Sequence, residues 1–169
     1  MMHLPQSTKR IGGLGSGFAG LFTAYELAKN EAFGAHTITV VSENAFRHAA
    51  SATPVALLNP ATGRSAKLIS GADFLLPFTS ERIQEIEAWS GRDVLKQTGV
   101  LRPAPDAETA GLMLKRYQTD PWPNGWACWL EKEAINEQFP GVFAEYGGLW
   151  IQKGASVDMP ALLKSLREW

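Results

Sequence analysis

Apolar residues recur along the first forty positions in three different rhythms. Ile11 to Leu14 is a short apolar segment that carries Gly12 and Gly13, both weak strand formers. Leu21, Ala24, Leu27 and Ala28 then repeat at the spacing of one helix face, with Phe22 beside them, which predicts a helix from about Gly17 to Lys29. Asn30 and Gly34 stand where such a helix ends and its exit loop begins. Thr37-Ile38-Thr39-Val40-Val41 is a β-branched run, the clearest strand signal in the chain. Residues 11 to 41 therefore read as strand, helix, strand. A unit this short calls for parallel strands and a right-handed crossover.

Downstream the rhythm is looser. Residues 42 to 70 are rich in Ser, Ala, Asn and Pro and read as irregular, with an apolar patch at Val55 to Leu58. A helix is predicted over Ala72 to Trp89, with Ile83, Ile86 and Trp89 as its core stripe, a kink or a split at Pro77, and an end at Ser90-Gly91. Val94 to Pro103 reads as extended around Gly99, and Ala107 to Tyr117 as a helix. Pro121 to Gly125 is a turn cluster. Strands are expected at Trp126 to Leu130 and Gly148 to Gln152, with a short helix at Ala134 to Gln138 between them. Asp158, just before Met159-Pro160, has the position of an N-cap for a last helix.

Composition narrows the classes of function. The chain has 169 residues, 45% hydrophobic and 20% charged, enough for one domain or one domain and part of another. Sixteen basic and 17 acidic residues nearly cancel, so there is no strong nucleic-acid signal. No apolar stretch is long enough to span a bilayer, and Met1 to Arg10 lacks the apolar core of a leader, so a cytoplasmic protein without membrane attachment is the expectation. Cys128 is the single cysteine, which excludes an internal disulfide and a multi-cysteine metal site. Its neighbours Trp126 and Trp129 favour a packed thiol.

The candidate chemistry lies in Gly15-Ser16-Gly17-Phe18-Ala19-Gly20. In this spacing the first glycine permits a tight turn from strand to helix. The second lets backbone N–H groups approach a pyrophosphate, and the third lets the helix pack on the strand. The anion then sits at a helix N-terminus, where free N–H groups and the dipole favour it. An apolar segment before the turn, a helix after it and a β-branched strand beyond supply the context that a bare glycine match lacks. An acid at the end of the second strand would grip a ribose hydroxyl. Glu43 is that candidate, and Ser42, at the position the usual spacing gives to the acid, is the alternative contact.

Several segments together resemble the FAD-dependent D-amino-acid oxidase and glycine oxidase family. They are IGGLGSGFAGLFTAYEL from Ile11, ASATPVALLNP from Ala50, Gly71 to Trp89, Gly99 to Pro103, and GLWIQKGASVDMPALL from Gly148. They follow one another in the family's order over nearly the whole chain. The resemblance implies an α/β fold: a Rossmann-like FAD-binding βαβ unit with part of a second, α+β substrate domain. It assigns 8–90 and a returning segment 155–169 to the FAD-binding part, and 91–154 to the substrate part. It also implies that the loop from Ser51 to Asn59 runs along the pyrophosphate, the ribityl chain and the flavin ring. Ser51 and Thr53 would then offer hydroxyls to the cofactor, and Ala56 and Leu57 would lie beside the ring; Ala56 stands where the family has glycine. A capping and turn role for Ser51 and Thr53 is the local alternative.

FAD chemistry of this type moves a hydride from a carbon bearing nitrogen to the flavin, so the expected substrate is a small amine or amino acid. D-amino acids, glycine, secondary amines and the aminomethyl group of a modified tRNA base all fit. No catalytic residue is assigned, since nothing sets Tyr117 or Tyr146 beside a flavin. Family members have about twice this length, and the resemblance assigns the substrate-gripping residues to their C-terminal half. A truncated form, or one completed by a partner chain, is therefore expected. The basic loop Thr62 to Lys67 reads as solvated, with guidance of an anionic substrate as the alternative. Two other functions stay open: a stand-alone, non-catalytic dinucleotide-binding module, and an NAD(P)-dependent dehydrogenase.

Overall fold

A computed structural model describes residues 10–33, 36–43 and 50–169. β1 (Arg10–Leu14) passes through the glycine turn into α1 (Phe18–Lys29), and β2 (Thr37–Val41) returns beside β1. After a 3-10 turn at Ala50–Ala52 come β3 (Val55–Leu58), β4 (Ala61–Thr62), β5 (Lys67–Leu68) and α2 (Ala72–Ser90). The rest is β6 (Leu95–Lys96), β7 (Val100–Pro103), α3 (Ala107–Thr119), β8 (Ala127–Leu130), α4 (Lys132–Gln138), β9 (Gly148–Ile151), β10 (Ala155–Asp158) and α5 (Met159–Glu168). Gly34, one of the expected loop positions, lies outside the described residues.

β1 and β2 are parallel, with Ile11 opposite Ile38 and Leu14 opposite Val41. Successive residues alternate between faces. Ile11, Gly13, Ile38 and Val40 are half-buried, whereas Leu14 is 90% and Val41 56% exposed on the other face. α1 is held from its far side. Leu21 and Tyr25 are buried with Ile83 and Ile86 of α2, Val157 of β10, and Leu162, Leu163 and Leu166 of α5. Removing each such aliphatic side chain from water contributes about 1.5–3 kcal/mol. α5 thus returns from the end of the chain to cover a helix near its start.

Two three-stranded antiparallel sheets complete the architecture, ordered β3-β10-β6 and β7-β9-β8. In the first, Val157 lies opposite both Ala56 and Leu95. In the second, Trp150 lies opposite both Leu101 and Cys128. A second core forms where α3 and the β4–β5 hairpin meet this sheet, around Met113, Val100, Leu149, Ile151, Ala61 and Ala66. Two strand connections pass side by side from one sheet to the other, through Gly99 and Gly154, and Gly99 N–H donates to the Gly154 carbonyl at 3.0 Å. Gly99 has φ of +69°, and a Cβ there would stand 2.0 Å from the Trp150 ring.

Several elements differ from the sequence reading. The irregular stretch 42–70 contains β3 and the β4–β5 hairpin; their partners are distant in sequence or too short to show a period. β10 (Ala155–Asp158) has no counterpart in the sequence reading, which places only the N-cap Asp158 there. α2 is not split at Pro77. Pro77 is exposed, and the neighbouring Leu76, with Ile83 and Ile86, holds the helix on the core. Trp89 is not part of that core stripe, being 39% exposed. Asp158 does cap α5, accepting from Ala161 N–H at 2.9 Å.

The crossing at Gly99 yields a stability prediction. Gly99→Ala combines a left-handed backbone with overpacking against Trp150 and should lower unfolding free energy by about 2–4 kcal/mol. Gly91→Ala, left-handed at φ +68° but in open space, should cost only about 1 kcal/mol. Urea midpoints for the two variants check this. A pH effect follows at α3, where Asp106 accepts from Thr109 N–H at 2.6 Å. That backbone bond, helped by the Thr109 hydroxyl and Arg64, holds the Asp106 carboxyl below its ordinary 3.8. A lowered carboxyl stabilises the fold above its unfolded value and loses that contribution as pH falls through its folded one. The first turn of α3 should therefore fray below about pH 3.8, and Asp106→Asn should abolish the pH dependence of Thr109 amide protection, measured as exchange relative to the intrinsic rate at each pH.

Candidate functional site

The glycine turn joins the end of β1 to the start of α1. Gly15 N–H donates to the Val41 carbonyl at 2.7 Å, extending the parallel ladder by one bond. Gly15 then takes φ of +98°, a region that L side chains rarely enter. A Cβ on Gly20 would stand 1.9 Å from the Gly15 carbonyl oxygen. α1 can therefore reach this turn only without a side chain at position 20. Gly17 is the N-cap of α1 and provides no side-chain cap. The first amides of the helix have no intrahelical acceptor.

One of those amides is taken by a distant residue. Phe18 N–H donates to Ser51 Oγ at 2.9 Å. A Cβ on Gly17 would stand 3.2 Å from the same oxygen. Ser51 lies in the Ala50–Ala52 turn, so this bond ties the start of the 51–60 loop to the helix N-terminus. A hydroxyl that accepts from an amide keeps its own proton for another acceptor. The amides of Ala19 and Gly20, and the Ser51 O–H, are thus the donors available to an anion at this end.

The remaining predicted residues divide among three hollows. Ser16, Ser42 and Glu43 line a cleft of about 780 Å³ beside Tyr25, His36 and Trp169. Ser42 donates from Oγ to the Glu43 carbonyl at 3.0 Å, and both residues are exposed. Phe18, Ser51, Thr53, Ala56 and Leu57 line a smaller, apolar hollow of about 270 Å³ against α2 and α5. Ala19 and Gly20 border a third, on the opposite flank of α1 over β1. Thr53 is committed locally, donating to the Val55 carbonyl at 3.0 Å. Ala56 packs toward the first core, whereas Leu57, one step along β3, is 61% exposed.

Tyr25, His36 and Trp169 were not anticipated at the cleft. Tyr25 is buried, with the Trp169 ring edge-on at 4.8 Å between centroids. His36 Nδ1 is buried with no hydrogen-bond partner among the described residues. Only the helical phase of Tyr25, four residues after Leu21, hinted at its burial. Arg64 of the basic loop is engaged by α3, donating to Thr109 Oγ1 at 2.9 Å and pairing with Asp106 at 3.3 Å. Tyr117 packs against the second core, and Tyr146 is 43% exposed.

A glycine turn that admits no side chain at position 20, a helix N-terminus with amides left over and a serine bound across it make a cradle of the kind suited to an anion. A protein-family model described as FAD dependent oxidoreductase matches residues 14–169. The chain belongs to this family. FAD is accordingly its cofactor, and the cradle is consistent with that ligand. No curated protein matches the chain. Among solved structures, glycine oxidase from Geobacillus kaustophilus is similar at 22% identity and a TM-score of 0.75, covering 94% of this chain and 44% of that one. Glycine oxidase from Bacillus cereus is similar at 18% identity and a TM-score of 0.71, covering 96% and 43%. Iminodiacetate oxidase from Chelativorans gives 19% identity and a TM-score of 0.66, covering 95% and 43%. At these identities the likeness is one of fold. The chain spans less than half the length of the structures it matches. Among the described residues no helix is long and apolar enough to cross a membrane.

The bond across the helix N-terminus can be tested without a cofactor. Ser51→Ala should lower stability by about 1 kcal/mol, the usual cost of losing a cap, and should raise amide exchange at Phe18. Ser51→Thr should keep most of both. Chemical denaturation with residue-resolved exchange is the check.

Proposed function

We propose that this chain is the FAD-binding portion of an oxidoreductase that removes hydride from a carbon bearing nitrogen in a small amine or amino acid. The observation that carries the reading is the Ser51–Phe18 bond. It joins the glycine turn to the loop 51–60, so that donors for the pyrophosphate lead directly to a mostly small and apolar segment suited to a flavin ring. Bound FAD supplies the two-electron acceptor for the hydride. The amides of the glycine turn and the Ser51 hydroxyl bind the phosphates. The exposed Glu43 carboxylate accepts from the ribose, with Ser42 bracing its backbone. On β3 and the residues before it, Thr53 and the exposed Leu57 face the ribityl chain and ring, and Ala56, whose side chain packs toward the first core, offers its backbone.

The amine class rests on the family match and on neighbours named for oxidation of glycine and iminodiacetate. In this reading 8–90 with 155–169 forms the cofactor part and 91–154 belongs to the substrate part. The groups that grip the substrate come from polypeptide beyond this span or from a partner chain. The chain alone therefore binds FAD but turns over amines poorly.

A visible spectrum of the purified protein titrated with FAD tests the reading. A bound flavin band and quenched flavin fluorescence are expected, with no response to NADH. Gly20→Val, which forces the turn off the helix, should weaken FAD binding at least about tenfold. A protein that binds NADH and leaves FAD free would sink the proposal.

A further inference from the structure

The segment between Ser51 and Gly63 is held at two points by groups from different parts of the molecule. At its start, Ser51 is bonded to α1. At its end, Arg102 donates from Nη1 to the Ala61 carbonyl at 2.6 Å and from Nη2 to the Gly63 carbonyl at 2.7 Å. Between them β3 is, among the described residues, an edge strand paired with β10. Asn59 turns the chain into β4 by accepting from Ala61 N–H at 2.9 Å, and Pro60 is fully buried. Arg102 itself stands on β7, next to β9, where Leu149 is wholly buried. The guanidinium is thus mounted on the second sheet and reaches across to the loop.

Resting on the FAD reading above, we propose that Arg102 is a positioning residue for the cofactor: it fixes the ring-side end of the 51–60 loop while Ser51 fixes the phosphate-side end. A planar fork with two terminal nitrogens serves two carbonyls at once, which a single ammonium does not. Burial lowers the Arg102 guanidinium from its ordinary value, yet arginine stays protonated at neutral pH. Both carbonyls therefore keep a charged donor, and the loop has one register relative to the second sheet. With the fork removed, the β10 pairing, the Asn59 turn, the β4–β5 hairpin and the Ile69 N–H bond to the Pro60 carbonyl at 2.9 Å would still hold residues 55–63, but the Ala61 and Gly63 carbonyls would lose their tie to the second sheet.

The test compares the wild-type chain with Arg102→Lys and Arg102→Met by two readouts. One is amide exchange over residues 55–63 without FAD. The other is FAD affinity and the position of the flavin band. For Arg102→Met, exchange over 55–63 and FAD dissociation should each rise about tenfold or more, the size expected when charged donors to two carbonyls are lost. The rest of the chain should keep its protection, the flavin band should move, and Arg102→Lys should fall between. If Arg102→Met fails to fold, the lysine variant carries the comparison. Exchange and affinity within about twofold of wild type, or exchange raised evenly over the whole chain, would overturn the proposal. Wild-type protein that does not bind FAD would overturn the FAD reading instead, and the loss of the cofactor role with it. Exchange over 55–63 would still report whether Arg102 holds the loop.

Discussion

The carbonyl oxygen of Gly15 occupies the space that a Cβ on residue 20 would need. This contact fixes where α1 begins relative to β1, and much else follows from it. A helix started one residue later would turn its first amides away from the strand end. Started here, it leaves them at the mouth of the turn, where the partial positive charge of the dipole is also concentrated. Ser51 then finds the Phe18 amide within hydrogen-bond reach. The arrangement of amides at this turn is thus a consequence of backbone packing, and little of it depends on side-chain chemistry. That explains why three glycines in a fixed spacing matter more than any charged residue near them.

Such a turn is useful only if the helix behind it does not move, and that is achieved by distant parts of the chain. Tyr25 is sealed by Trp169 and by α5, and α1 is tied to α2 by a chain of charges. Lys29 pairs with Glu85, Glu85 with Arg82, and Arg82 Nε lies 3.2 Å from Glu26. These groups are partly exposed, so each pair is worth little alone. Their contribution is to choose one rotation of α1 against α2, while the apolar contacts supply most of the energy. α2 in turn is stopped by Gly91, and Glu87 accepts from the amides of both Val94 and Leu95, at 2.7 and 2.8 Å. The entry into β6, an edge strand of the first antiparallel sheet, is therefore set by the end of the helix that packs against α1.

What could be read from the residues was mostly local. The period of Leu21, Ala24, Leu27 and Ala28, the β-branched run at 37–41 and the cap at Asp158 each carry their structure within a few positions. The glycine spacing was legible for the same reason. β3 and β10 pair across more than half the length of the chain, and neither is long enough to announce itself alone. Thr53 turned to its own backbone, the local option, whereas Ser51 turned to a helix thirty-three positions away. Nothing in the spacing of the two hydroxyls separates these outcomes; the difference lies in which one the folded chain brings to the end of α1. Trp89 misled through the reverse effect, since its helical phase was right but the core did not extend that far.

The exposed face of β1 and β2 bears on how this portion is stabilised. Two parallel strands make a marginal sheet by themselves, and here one face carries Leu14 and Val41 largely in water. Among the described residues the pair is covered by α1 on one side, and the glycine turn lies at the end of that pair. A ligand that binds only the ordered turn must stabilise the strands with it, by an amount set by its affinity and concentration. Polypeptide that covers the open face would stabilise the same strands and so favour the same turn. Cofactor binding and sheet completion are then linked through one element, each raising the affinity for the other. The linkage follows from the geometry of residues 10–20, in which the first amides of α1 and the exposed strand belong to one short stretch of backbone.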